Sequence, residues 1–112
     1  MDLLIKIDAD LTLKQTEQRC EVEQNAGFQL DSIKFGTIIE GGTVLQVNKA
    51  EFVSKPVGRL KNLLFVEVGT QNPETLKKGK TDEGWKFICD TQMYVKNKVE
   101  RVMVFGKKQA EV

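Results

Sequence analysis

The chain contains no histidine, which removes His-dependent triads, His general bases and His-ligated metal centres. Neither a Gly-x-x-x-x-Gly-Lys-Ser/Thr phosphate loop nor a Gly-x-Gly-x-x-Gly turn is present. Asp8 and Asp10 lie two residues apart. On a strand they share one face, where they could hold a divalent cation together with Glu17 or Glu21. Solvated acids on the outer face of a strand explain them equally well, and no metal site is expected. Cys20 has Glu21 and Glu23 beside it, which disfavours a thiolate and a nucleophilic role. Cys89 is far away in sequence and the two have no metal-like spacing, so both are expected as free thiols of a reducing compartment. The expectation is therefore no enzyme, no catalytic residue and no cofactor.

The chemistry that remains is charge. Residues 1–52 hold five Lys/Arg and nine Asp/Glu, a balance of −4; residues 53–112 hold twelve and seven, a balance of +5. The basic residues of the second half gather at expected turns and strand ends. Lys55, Arg59 and Lys61 flank Pro56-Val57-Gly58. Lys77, Lys78, Lys80 and Lys86 surround the end of a short helical stretch. Lys96, Lys98 and Arg101 surround a polar turn, and Lys107-Lys108 follow. Such a distribution suits an acidic partner, although lysines also keep hairpin tips and sheet edges soluble.

The elements that would position these groups are mostly strands. Leu3, Ile5, Ile7, Ala9, Leu11 and Leu13 alternate with largely polar residues, which predicts one long strand with a buried face. Residues 15–27 admit two readings. A helix capped by Thr12 or Thr16 would end at Asn25-Ala26-Gly27, but its faces carry few apolar residues, so a second strand is expected. Glu40-Gly41-Gly42-Thr43 predicts a two-residue primed turn joining antiparallel strands over 32–40 and 43–53. Lys55-Pro56-Val57-Gly58 reads as a type I turn. It leads to a strand within 60–69 whose run Leu63-Leu64-Phe65-Val66 predicts cover on both faces. Asn72-Pro73-Glu74 through Gly79 carries the punctuation of a very short helix. Strands over 85–95 and 99–105 follow as a hairpin across Lys96-Asn97-Lys98. Strict alternation there turns Trp85 and Phe87 inward and Tyr94 outward among lysines. No internal repeat is evident, and residues 106–112 read as a polar tail.

The fold class is accordingly all-β, a single domain over 1–112. From about residue 32 the order strand, strand, strand, short helix, strand, strand is that of a small OB-type antiparallel barrel, with residues 1–31 as an N-terminal extension; a plain antiparallel sandwich of the same strands is the competing architecture. On such a barrel Lys49, Arg59, Lys61, Lys96 and Lys98 fall on or near the binding elements. Lys55, Lys80, Lys86 and Arg101 complete the basic set. Tyr94 is the first aromatic expected to stack on bases and Phe52 the second.

Lys77-Lys78-Gly79-Lys80, followed by Gly84-Trp85-Lys86-Phe87 and a strand containing Cys89, resembles the small single-stranded-DNA-binding proteins of filamentous bacteriophages. That resemblance implies an OB-type barrel, a symmetric homodimer and cooperative coating of single-stranded viral DNA with aromatics stacked on bases. The reading from the residues themselves is a non-catalytic single-stranded nucleic-acid binder. Its competitor is a protein-binding module, an inhibitor or assembly component of a mobile element, that offers its long N-terminal strand as an edge. No run of residues is apolar enough for a membrane span, and no signal-peptide pattern opens the chain. A cytoplasmic location is expected, in the host if the protein is phage-encoded.

Overall fold

The computed structural model describes residues 2–54 and 60–108. Six strands and two helices follow one another as β1 (Leu3–Asp8), α1 (Leu13–Asn25), β2 (Phe28–Glu40), β3 (Thr43–Ser54), β4 (Asn62–Glu67), α2 (Pro73–Asp82), β5 (Lys86–Val95) and β6 (Lys98–Lys107). The strands form two antiparallel sheets of three, ordered β1-β3-β2 and β4-β6-β5. The mostly-β expectation is met. The pairing among the described residues is that of two separate sheets, and the expected turn at 55–58 lies outside those residues.

The chain is a topological repeat that its sequence hides. Each half runs strand, helix, strand, strand, and each places its last strand in the middle of the sheet. The punctuation repeats as well. Thr12 and Asn72 cap the two helices, and Gly27 and Gly84 follow them at φ 109° and 94°. Two-residue turns at Gly41-Gly42 and Lys96-Asn97, all four residues at positive φ, close the two hairpins. A bulge interrupts the pairing between Leu30 and Ser32 in one sheet and between Phe87 and Cys89 in the other.

Three sequence expectations are corrected. The first strand ends at Asp8 rather than continuing to Leu13, because Thr12 starts a helix. Its hydroxyl accepts the Gln15 N–H at 3.1 Å while the Gln15 side chain accepts the Thr12 N–H at 2.9 Å, a reciprocal capping box. Residues 15–25 are helical, within α1, not a strand. The buried stripe of α1 is Thr16, Glu17, Cys20 and Gln24, so the periodicity is present but written mainly in polar residues. Finally, α2 does not stop at Gly79. It runs to Asp82, and Gly84 supplies the left-handed residue beyond its end.

One face of the β4-β6-β5 sheet packs against the β1-β3-β2 sheet and α1. That core includes Ile7, Leu30, Ile33, Ala50 and Phe52 from the first sheet, and Leu63, Phe65, Met93, Val102 and Val104 from the second. The opposite face forms a smaller core of Val68, Met103 and Phe105, with Leu64, Val66, Leu76, Trp85 and Phe87 packed onto it. The run Leu63-Leu64-Phe65-Val66 is thus covered on both faces, as expected.

Side chains of the first half satisfy both edges of the second sheet. On α1, Glu17 and Glu21 are four residues apart, one helical turn and about 6 Å along the axis. On β4, the N–H groups of Leu63 and Phe65 point to the same edge about 6.6 Å apart. The spacings match: Glu21 accepts from Leu63 at 3.1 Å and Glu17 from Phe65 at 3.0 Å. At the other edge, the Asn48 side chain donates to the Tyr94 carbonyl at 2.8 Å and accepts its N–H at 2.7 Å, so an amide stands in for a neighbouring strand. Gln24 accepts the Leu30 N–H at 2.5 Å and donates to the Leu60 carbonyl, while Gln29 accepts the Leu60 N–H at 2.8 Å. These buried glutamines tie the entry to β4 onto the first sheet.

Removing the Glu17 carboxylate leaves the buried Phe65 N–H unsatisfied. We expect Glu17→Ala to cost about 2–3 kcal/mol in urea unfolding, and Glu17→Gln, which keeps an acceptor, to cost less than half of that. Equal losses in the two variants would contradict the edge-capping role.

Candidate nucleic-acid interface

The register of the first sheet assembles a feature that charge counting by halves does not reveal. Lys49 lies directly opposite Lys6 of β1 on one side and Lys34 of β2 on the other. Directly opposed residues share a face, and this one is the outer face, since the neighbouring row of Ile5, Ala50 and Ile33 points into the core. Three lysines therefore cross the sheet in one row. With opposed Cα atoms about 4.5–5.5 Å apart, all three attachment points fall within about 10 Å. Lys6 and Lys34 are exposed and Lys49 is half-buried.

The row has no internal counter-charge. Among the described residues, none of the three ammonium groups has an ion-pair partner, although Glu51 and Asp8 occupy the rows on either side. Like charges directly opposite one another destabilise a sheet. Gly36 gives the Lys49 stem room to lie across β2: a Cβ there would stand 3.1 Å from Lys49 Cε and 3.5 Å from Nζ.

The basic residues expected from sequence do not form one surface. Lys55 and Arg59 lie outside the described residues. Lys61 precedes β4, and its N–H donates to the Lys107 carbonyl at 3.1 Å. Lys86 opens β5 opposite Gly106, at the same end of the second sheet. Lys96 and Lys98 sit at the far tip of the β5–β6 hairpin, about 30 Å away along the strand. Lys80 and Arg101 have carboxylate partners among the described residues. Lys80 lies 3.6 Å from Glu83, and Arg101 makes a two-pronged contact with Asp90 at 3.0 and 2.6 Å. The Arg101 guanidinium, by hydrogen bond and charge, holds the Asp90 carboxyl below its ordinary value. Of the expected residues, only Lys49 belongs to the lysine row.

Both aromatics expected to stack on bases are buried. Phe52 is 0% exposed, between Leu3 and Leu30 in the first sheet. Tyr94 is 7% exposed. The bulge after Phe87 breaks the strict alternation that pointed it outward, and its ring meets Phe35 edge-on at 5.5 Å. Phe35 is the aromatic left exposed there, at 38%. Trp85 and Phe87 pack under α2, with Lys107 5.1 Å from the Trp85 ring centre and Lys77 4.2 Å from that of Phe87.

One signal could have located the row. A two-residue turn at Gly41-Gly42 fixes the register of the hairpin, and that register sets Lys34 opposite Lys49. Only the placement of Lys6 requires long-range pairing.

Neither cysteine offers reactive chemistry. Burial pushes the Cys20 thiol up to about 12. Burial likewise raises Cys89 to about 11, against the smaller opposing effect of a hydrogen bond from the Ile33 N–H. With Ellman's reagent at pH 8, we expect no rapid thiol release from the native protein and two equivalents after urea unfolding. One equivalent released rapidly under native conditions would contradict this burial.

No described helix is long and apolar enough to cross a membrane. No protein-family model, curated protein or solved structure matches this chain.

Proposed function

We propose that the protein is a non-catalytic binder of single-stranded nucleic acid that grips the phosphate backbone through Lys6, Lys49 and Lys34. The row of three opposed lysines, with no ion-pair partner among the described residues, carries the reading. An arrangement that costs stability in the free protein is relieved when phosphates supply the missing counter-charge. A phosphate-led grip replaces the base-stacking role expected of Tyr94 and Phe52, which are buried. The projecting end of the β2–β3 hairpin, a two-stranded ribbon of the kind a major groove admits, carries Ile38, Ile39, Val44 and Leu45 instead of donors for base edges. That favours a single strand lying on the sheet over a duplex read in its groove.

The OB-type part of the reading rests on element order from β2 to β6, and the homodimer and phage-like DNA coating rest on the sequence resemblance. Titrating a labelled single-stranded oligonucleotide at two salt concentrations tests the function. We expect affinity to fall steeply with salt, with a logarithmic slope near −2 if three phosphates are neutralised. Binding that ignores salt, or no binding at low salt, would remove the proposal.

A further inference from the structure

Where β1 ends, β3 continues without a neighbour. Asp8 pairs with Val47, the last register position of β1, whereas β3 extends to Thr43. Among the described residues, no strand pairs with 43–46 on that flank. The chain is held away from this position. Beyond Asp8 it turns at Ala9-Asp10, and the β5–β6 turn fixes it there: the Asn97 N–H donates to the Ala9 carbonyl at 2.8 Å and the Lys96 N–H to that of Leu11 at 3.0 Å.

The space left open is a cavity of about 570 Å³ whose walls include Asp8, Asp10, Thr37, Val44, Gln46 and Asn97. Glu40 and Thr43 close the two-residue turn as a bonded pair, so alternation sends the Val44 N–H and carbonyl toward the open flank. Apolar side chains around this edge are uncovered: Ile39 is 78% exposed and its cross-strand partner Val44 is 64% exposed. At the β1 end stand Asp8 and Asp10, neither of them in an ion pair among the described residues.

We propose that this flank is a docking site for an extended basic peptide segment of a partner protein, which adds as a strand beside Thr43–Gln46 in line with β1. Backbone hydrogen bonds to Val44 provide the grip. An apolar side chain of the segment covers Val44 and Ile39, and a lysine or arginine meets Asp8 and Asp10. Four residues suffice, since they span about 13 Å. The charge favours a basic partner over this chain's own hairpin end, because residues 37–46 contain one glutamate and no basic residue. The open edge at Thr43–Gln46 is distinct from the lysine row, although Asp8 stands beside that row on the outer face of the same sheet.

The probe is a fluorescein-labelled hexapeptide of alternating valine and threonine with arginine at both ends, compared with the same peptide ending in glutamate. We expect the arginine peptide to bind at least about tenfold more tightly and to slow amide exchange at Val44. Val44→Pro, which removes the N–H on the open flank, should abolish binding. Should that variant fail to fold, Asp8→Asn with Asp10→Asn decides, and it should remove the preference for arginine over glutamate. Equal binding of the two peptides, or no binding of either at millimolar concentration, overturns the proposal. So does a dimer, seen by sedimentation, that amide exchange shows to be held together along 43–46, because a second copy would then fill the edge.

Discussion

Exchanging Lys6, Lys34 and Lys49 together for glutamine is expected to stabilise the fold while weakening its hold on single-stranded nucleic acid. The two effects share one cause. In the free protein, Lys49 faces a like charge on each side and, among the described residues, none of the three has a carboxylate partner. Relief of two directly opposed pairs contributes roughly 0.5–1 kcal/mol, a rise of a few degrees in Tm. On the nucleic acid the same ammonium groups displace counterions, and each phosphate contact adds about 0.7 to the logarithmic salt slope for a single strand. Removing three contacts should flatten the slope by about two and lower affinity at low salt by at least about tenfold. The opposite signs make the test strict. Lower Tm together with lower affinity would indicate a merely damaged fold, and unchanged affinity would show that the row is not the interface.

Phe52→Ala is expected to have the largest effect on stability. The ring is fully buried in the central strand, and its loss leaves a cavity between Leu3 and Leu30. The cost should be about 3–5 kcal/mol, a large share of the 5–15 kcal/mol typical of a domain. Urea unfolding measures it. The same variant separates the two roles considered for this residue. An exposed stacking platform would lose about 1–3 kcal/mol of oligonucleotide affinity and leave stability alone. A core residue loses stability, and the molecules that remain folded bind as before.

The parts of the fold legible in the sequence are those set by local chemistry. Gly41-Gly42 and Lys96-Asn97 announced two hairpins, and Asn72-Pro73 announced the start of α2. The apolar run within β4 announced a strand covered on both faces. What stayed hidden depends on long-range partners. Helix α1 buries Thr16, Glu17 and Gln24 against strand edges and backbone groups that only the folded chain supplies, so its inward face looked polar. Strict alternation points Tyr94 to the face opposite Phe87, and a single bulge at Ile88 reverses which residues of β5 face which side. The candidate interface was half legible. The glycine turn already forces Lys34 opposite Lys49, whereas Lys6 joins them only through the pairing of β1 with β3.

The role of the lysine row is tested most directly by titrating isotopically labelled protein with a single-stranded oligonucleotide while following backbone and lysine side-chain resonances by NMR. We predict shifts that concentrate on Lys6, Lys34, Lys49 and their row neighbours on the outer face of the β1-β3-β2 sheet, and that reverse on adding salt. Shifts confined to the β5–β6 tip at Lys96 and Lys98, or none at oligonucleotide concentrations that saturate binding, would contradict it.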